Sequence, residues 1–417
     1  LDALDMKEQS YRIDSCRSCG YTDINEFLDL GLMPLANALI GPEKMKEEPR
    51  FPLVAAFCGR CSLMQITETV SPELLFGHYL YASSYSDTML KHAEGIAKEL
   101  TDTLGLGPES LVVEVASNDG YLLQYFKQLG VPILGIEPAR NIATVANERG
   151  VNTRCEFFSG ELGRTLGREG VAADALLANN VLAHVDDLNG FVSGVAAVLK
   201  PGGVARFEFP YVGDLLDKLE FDTIYHEHLC YFSAHAVEAL LRRHNLVFTD
   251  VKRLALHGGS LRVTAAFHAG KEGRARVESL LAEEREKGID CLDRYRVFAD
   301  GVRGLAGKLK GLLHGLRSEG KRIAAYGASA KGATLLNYLN LEPGTIEYVV
   351  DRSPLKQGLL TPGTHLEIHQ PERLTEDTPD YVLLLTWNFA DEILEQQRAY
   401  RETGGRFIIP VPEPAIV

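Results

Sequence analysis

Between about residues 85 and 270 the chain alternates short apolar runs with segments whose apolar positions recur every three or four residues. "LVVEVAS" (111–117), "PILGIEP" (132–138) and "ADALLANNVLAHV" (173–185) are apolar runs bounded by turn residues, as in strands buried on both faces. "GYLLQYFKQLG" (120–130) and "RNIATVANERG" (140–150) carry helical spacing between them. Strand and helix in turn predict a doubly wound parallel sheet, with its ligand crevice at the carboxyl ends of the strands. "LKPGG" and "VARFEFPY" (204–211) add a turn and a strand, and "LVFTDVKRLALHGGSLRVTAAF" (246–267) reads as two strands with a short glycine-containing connection.

The pattern then changes and restarts. Residues 271–318 are charged and apolar at helical spacing, which predicts a helical connector. After it "RIAAYGA" (322–328), "IEYVVD" (346–351), "YVLLLTW" (381–387) and "RFIIPVP" (406–412) read as strands. "SAKGATLLNYLN" (329–340) and "FADEILEQQRAY" (389–400) read as helices, so a second, smaller Rossmann-like α/β domain is expected. The expected division is a module at 11–75, a central α/β domain at 76–270, the connector at 271–318 and the C-terminal domain at 319–417.

Composition narrows the chemistry. The chain has 417 residues, 45% of them hydrophobic and 24% charged, which suits a globular protein of two or three domains. A net charge of −14 disfavours nucleic acid and anionic membrane as partners and points to a small-molecule substrate. No apolar run reaches the roughly 18 residues that span a bilayer, and a cytoplasmic location is expected.

Four of the seven cysteines form two C-x-x-C pairs, Cys16/Cys19 and Cys58/Cys61, with glycine at or inside each turn. This spacing admits disulfides or free thiols, but in a cytoplasmic chain it predicts a closed four-thiolate zinc site. A closed site is structural, and here it would tie together a module too small to hold a core of its own.

Two turns carry ligand signals. The first, Glu114-Val-Ala116-Ser117-Asn118-Asp119-Gly120, follows a strand, and Glu137 with Pro138 ends the next one, 17 residues beyond Gly120. An acid there can accept the hydroxyls of a ribose. The turn lacks G-x-G-x-x-G, so it suits a dinucleotide pyrophosphate poorly and suits S-adenosylmethionine, which has no phosphate. A hairpin closing the sheet likewise resembles the class I S-adenosylmethionine-dependent methyltransferase fold rather than a dehydrogenase. The second turn, Gly327-Ala328-Ser329-Ala330-Lys331-Gly332, sets amides, a hydroxyl and a lysine at a helix start, a phosphate-binding arrangement without the full P-loop spacing. Asp351 and Lys356 follow on the ligand side of that sheet.

A third signal is "YHEH" at 225–228. It is not His-Glu-x-x-His, and in an extended segment His226 and His228 would share one side. The residues alone leave metal binding, proton chemistry and packing open.

C-x-x-C…C-x-x-C, "EFLDLGLMPLAN" (26–37), "EVASNDG", "YHEH", and "YGASAKGAT" with "DRSPLKQGLLTPG" occur in this order. Together they resemble the C-methyltransferases that act on nucleotide-linked ketosugars in antibiotic and polysaccharide pathways. The resemblance runs from Cys16 to the C-terminus. It implies an N-terminal zinc module, a central methyltransferase domain, and a C-terminal domain for a nucleotide-diphosphate ketosugar. It also implies S-adenosylmethionine as cofactor, held by the first turn with Glu137, Pro138 and Asn180. His228 is implied as the base that takes a proton next to a C4 ketone, methylation falling at C3, with Glu227 as its partner. Tyr225, Tyr81 and His184 are implied as pocket groups donating to substrate oxygens, and the enzyme is expected to be a monomer. Ala116 departs from the glycine that relatives carry in the cofactor turn. Other readings are an O- or N-methyltransferase on a nucleotide sugar and, more distantly, a zinc-ribbon protein that binds nucleic acid.

Overall fold

The computed structural model describes residues 9–76, 84, 87–256, 258–268 and 271–417. Among these, the apolar runs of the middle of the chain assemble into a seven-stranded sheet. Its order is Val247–Leu254, Ser260–Ala266, Leu199–Pro210, Ala173–Asn179, Val112–Val115, Ile133–Ile136, Thr153–Arg154. The five strands from Leu199–Pro210 to Thr153–Arg154 are mutually parallel. Ser260–Ala266 is antiparallel to both neighbours and inserts between Leu199–Pro210 and Val247–Leu254. That inserted antiparallel strand is the closing hairpin expected from 246–267. The strand ends at Val115, Ile136 and Asn179 therefore point their following turns to one edge, as a doubly wound sheet requires.

The N-terminal region forms a different kind of sheet. Ile24–Pro34, Arg50–Cys58 and Met64–Ile66 pair antiparallel, and the fourth strand is Cys230–Tyr231, which comes from far along the chain. Thus the residues immediately after Tyr225-His226-Glu227-His228 are hydrogen-bonded into the cysteine-rich module. Sequence periodicity cannot show a two-residue strand paired over such a distance.

The connector is two helices, Lys271–Glu286 and Leu292–Ser318, separated at Gly288, whose φ of 67° breaks the helical path. Glu284 on the first is fully buried and accepts the amides of Ala234 and His235, at 2.7 and 3.1 Å, where helix Ala234–Arg243 begins. Its carboxylate thereby satisfies two amides that the helix itself leaves unpaired. The second helix buries Tyr295 against Phe57, their rings stacked at 4.4 Å, so it also covers the N-terminal sheet.

The C-terminal sheet has the order Ile368–His369, Val349–Val350, Ile323–Tyr326, Tyr381–Leu384, Arg406–Ile409, Ala415–Ile416, parallel except for its last strand. Two of its contacts with the rest of the molecule lie close to the residues singled out from the sequence. Ile40 forms an antiparallel bridge with Leu360. Trp387 donates its indole N–H to Asp222, three residues before Tyr225, at 2.7 Å.

Candidate active site

The four cysteines converge. Sγ of Cys16 and Cys61 are 3.6 Å apart, those of Cys19 and Cys58 are 3.5 Å apart, and all four lie within 4.8 Å of one another. Thiolates about 2.3 Å from a tetrahedral zinc stand roughly 3.8 Å from each other, so the set fits that ion. Each C-x-x-C turn is followed by a residue of positive φ, Gly20 at 69° and Ser62 at 60°, and amides of these residues close on the carbonyls of Cys16 and Cys58. Hydrogen bonds from Cys58 and Cys61 pull the Cys16 thiol down to about 2, and bonding to Cys16 pushes Cys58 up to about 12. Four sulfurs this close need a cation to be thiolates together.

In the cofactor turn, Ala116 and Asn118 take φ of 52° and 49°, and Gly120 takes 82°. Ala116, the departure from glycine, and Asn118 thus both adopt the conformation that glycine favours. Glu137 holds the turn in shape, accepting the amide of Asn118 at 3.0 Å and that of Ala139 at 2.9 Å. Each carboxylate oxygen retains a lone pair with which ribose hydroxyls can bond. Asp119 is buried and accepts from Arg149 at 2.9 Å and from Ser84. Burial, with Glu137 and Asp119 nearby, pushes the Glu114 carboxyl well above the usual range. Pro138 extends the strand end that carries Glu137, and Asn180, with φ of 55°, follows Ala173–Asn179 at the same sheet edge. A lone acid-rich turn of this kind suits the cationic ends of S-adenosylmethionine better than a phosphate.

Residues 225–228 form a turn rather than an extended segment, the His228 amide bonding the Tyr225 carbonyl at 2.9 Å. Its side chains therefore diverge. His226, buried, turns to the Pro52 carbonyl at 3.1 Å and the Phe51 ring, so it does not share a side with His228. Burial pulls it down to about 4, and it is a neutral packing group of the N-terminal sheet. His228 folds back under Tyr225, ring centroids 4.2 Å apart, with the phenol oxygen 3.0 Å from Nε2. Nδ1 lies 3.0 Å from the Thr223 carbonyl, which can only accept. The proton of a neutral His228 is thereby assigned to Nδ1, and Nε2 carries the basic lone pair.

Two more sequence-expected groups meet there. His184, in the one-turn helix after Asn180, places its ring edge-on to His228 at 4.9 Å. Burial pulls it down to about 4, so it adds no positive charge beside His228. Glu227 is pushed up to about 7 by burial, opposed by the Asn37 amide, which donates to it at 2.7 Å. Sequence reasoning quoted Asn37 as the end of "EFLDLGLMPLAN" but gave it no role. Tyr81 lies outside the described residues.

At the C-terminal turn, Ser329 Oγ caps helix Ala330–Leu339, accepting the Gly332 amide at 3.1 Å. Asp351 accepts the Ala328 amide at 2.8 Å and the Ser353 amide at 2.8 Å, and Lys356 bonds the Ala328 carbonyl at 2.7 Å. Gly327 takes φ of 96°, and a Cβ there would lie 2.6 Å from Thr386. Lys331 turns inward, its ammonium 4.5 Å above the Trp387 ring. It is the nearby cation that most lowers Glu220 and Asp222, both pushed up overall by burial, Glu220 to about 7. This places Lys331 between the C-terminal turn and the segment leading into Tyr225.

Comparisons with known proteins follow the same three-part division. Family models match at residues 16–76 (zinc binding domain), 89–251 (methyltransferase domain) and 255–412 (C-methyltransferase C-terminal domain). The C-methyltransferase NovU of Streptomyces niveus is 39% identical over 407 residues, 97% of each chain. A ubiquinone biosynthesis O-methyltransferase of Bradyrhizobium is 32% identical over 124 residues, 28% of this chain and 45% of that one. A solved structure, the YcgJ protein of Bacillus subtilis, is similar at 15% identity and a TM-score of 0.35, covering 43% of this chain and 100% of that chain. With a zinc-binding N-terminal module, a methyltransferase sheet and a second α/β sheet matched in order along nearly its full length, the chain belongs to the S-adenosylmethionine-dependent C-methyltransferases.

Proposed function

We propose that the acceptor is a nucleotide-linked 4-keto-deoxysugar and that the methyl group goes to C3 through an enolate. The observation that carries this reading is His228, whose Nδ1 is tied to a carbonyl so that Nε2 is the base. Carbon is a nucleophile next to a ketone only after it loses a proton, so a C-methyltransferase of this kind needs such a base. Bound S-adenosylmethionine supplies an electrophilic methyl on a sulfonium.

The steps assigned to the protein are these. Nε2 of His228 takes the C3 proton, and the electron pair of the C–H bond moves into the ring as the C4 oxygen gains negative charge. Tyr225, whose hydroxyl lies 3.0 Å from Nε2, donates to that oxygen instead, and the neutral His184 beside it offers a second donor. Glu227, held by Asn37 and titrating near neutrality, positions the sugar without placing a fixed negative charge against the enolate. The carbon then takes the methyl as the C–S bond breaks. Lys331, Lys356 and the start of helix Ala330–Leu339 serve the diphosphate. The enzyme works as a monomer in the cytoplasm, where thiols such as the four ligands stay reduced.

Incubation with S-adenosylmethionine and a panel of thymidine- and guanosine-diphosphate 4-ketosugars tests this, with the new methyl located by NMR. A methyl on oxygen or nitrogen would overturn the carbon assignment. His228→Asn should retain both ligands and lower turnover by on the order of 10²–10⁴, together with loss of enzyme-dependent exchange of the C3 proton in deuterated water.

A further inference from the structure

The side chain between the first two zinc ligands is not where a surface knuckle would put it. Arg17 lies between Cys16 and Cys19, yet its side chain is only 2% exposed. Its guanidinium is fully engaged with three separate segments. Nε donates to Asp186 Oδ1 at 2.9 Å, Nη1 to the Ile66 carbonyl at 2.6 Å, and Nη2 to Thr69 Oγ1 at 2.6 Å.

Two of those segments lead to the reacting groups. Asp186 is two residues from His184, in the loop that brings His184 against His228. The Ile66 amide donates to the Leu229 carbonyl at 3.0 Å, and the strand Ile66 ends pairs with Cys230–Tyr231. The contact is returned, since Asn189 donates to the carbonyls of Arg17 and Ser18 at 3.1 and 3.0 Å. Tyr11 and Thr69 also donate to Asp186. The knuckle thus grips the His184 loop on one side and the end of the Tyr225–His228 turn on the other.

We propose that Arg17 is a positioning residue for methyl transfer, through which the metal knuckle fixes His184 and the Tyr225–His228 turn relative to each other. The inference rests on the reading that these groups line the reacting pocket. A planar fork with several donors in fixed directions can hold three segments at once, which a lysine cannot. Displacements of about 1 Å at reacting groups can change rates on the order of 100-fold, so a tie of this kind bears on turnover more than on binding.

The test uses the zinc-loaded full chain with Arg17→Met, Arg17→Lys, Asp186→Asn and the double variant Arg17→Met/Asp186→Asn. All should retain one zinc and wild-type affinity for S-adenosylmethionine. In hydrogen exchange followed by mass spectrometry, residues 182–187 and 226–229 should lose protection while Val112–Val115 keeps it. Turnover should fall on the order of 10-fold in each single variant with the acceptor KM changed little. The loss in the double variant should fall short of the product of the two single losses, because the Arg17–Asp186 bond is common to both. Unchanged exchange in both segments would overturn the proposal whether or not the ketosugar assignment is right. Multiplied effects in the double variant, or turnover unaffected in an enzyme shown to methylate a ketosugar, would also overturn it.

Discussion

The two Rossmann-like turns share a backbone device and differ in what they put around it. In the central sheet the residue after the strand, Ala116, has positive φ, and the acid ending the next strand, Glu137, accepts the Asn118 amide of that turn and the Ala139 amide two residues beyond itself. In the C-terminal sheet Gly327 has positive φ, and Asp351 accepts the Ala328 amide of its turn and the Ser353 amide two residues on. The acid therefore shapes each turn first and leaves spare lone pairs for a ligand second. Around the first turn stand buried Glu114 and Asp119, and around the second stand Lys331 and Lys356. Under the proposed function, one frame serves a cationic donor molecule and the other an anionic acceptor.

If that division is right, the equivalent acids should fail on different ligands. Glu137→Gln and Asp351→Asn each replace one acceptor oxygen by a donor that faces an amide. Losing a hydrogen bond to a charged group costs about 1.5–3 kcal/mol, roughly a 10- to 150-fold weakening. Calorimetry should show that loss for S-adenosylmethionine in the first variant and for the nucleotide sugar in the second. Equal weakening of both ligands by either variant would break the comparison.

A smaller effect is expected at Lys331. Lys331→Ala should weaken the nucleotide sugar about 10-fold and spare S-adenosylmethionine, as loss of one phosphate-facing charge would. It should also add a pH dependence. Glu220, pushed up to about 7, contributes to stability when protonated, and that contribution is lost as pH rises through its folded value. Removing the lysine that opposes this shift raises it further. The stability deficit of the variant should therefore be small at pH 5.5 and grow by pH 8, as read by thermal unfolding. A deficit independent of pH would show that Lys331 does not offset the buried acids.

How much of this was legible in the chain depended on the range of the interaction. The four cysteines, the two turns and the histidine proposed as the base all announce themselves within a few residues, because a knuckle, a strand-to-helix turn or a paired spacing is local. The contacts that place them are not. Asn37 reaches Glu227 across 190 positions and Trp387 reaches Asp222 across 165, and neither residue type has a spacing that marks it. The relation of His226 to His228 turned on whether 225–228 is extended or turned. That was settled by the pairing of Cys230–Tyr231 with the N-terminal sheet and by the Tyr225 to His228 backbone bond, which no periodicity encodes. Arg17 was passed over for a similar reason, as a residue between two metal ligands reads as spacer until its guanidinium is seen among three other segments.

The smallest expected effect concerns the residue that follows each first strand. Gly327 admits no side chain, since a Cβ would lie 2.6 Å from Thr386 and its φ is 96°. Ala116 holds a Cβ at a φ of 52°, nearer to the left-handed helical minimum that an L-residue can reach. Left-handed backbone costs a non-glycine residue roughly 1–2 kcal/mol, while glycine loses roughly 0.5–1 kcal/mol more than alanine in conformational freedom on folding. The two nearly cancel, so Ala116→Gly should raise stability by about 0.5 kcal/mol and leave S-adenosylmethionine affinity within about two-fold. Denaturant unfolding with and without S-adenosylmethionine would check both. A loss of stability would mean that the Ala116 methyl makes contacts worth more than its strain, and that the two turns are not interchangeable even at this position.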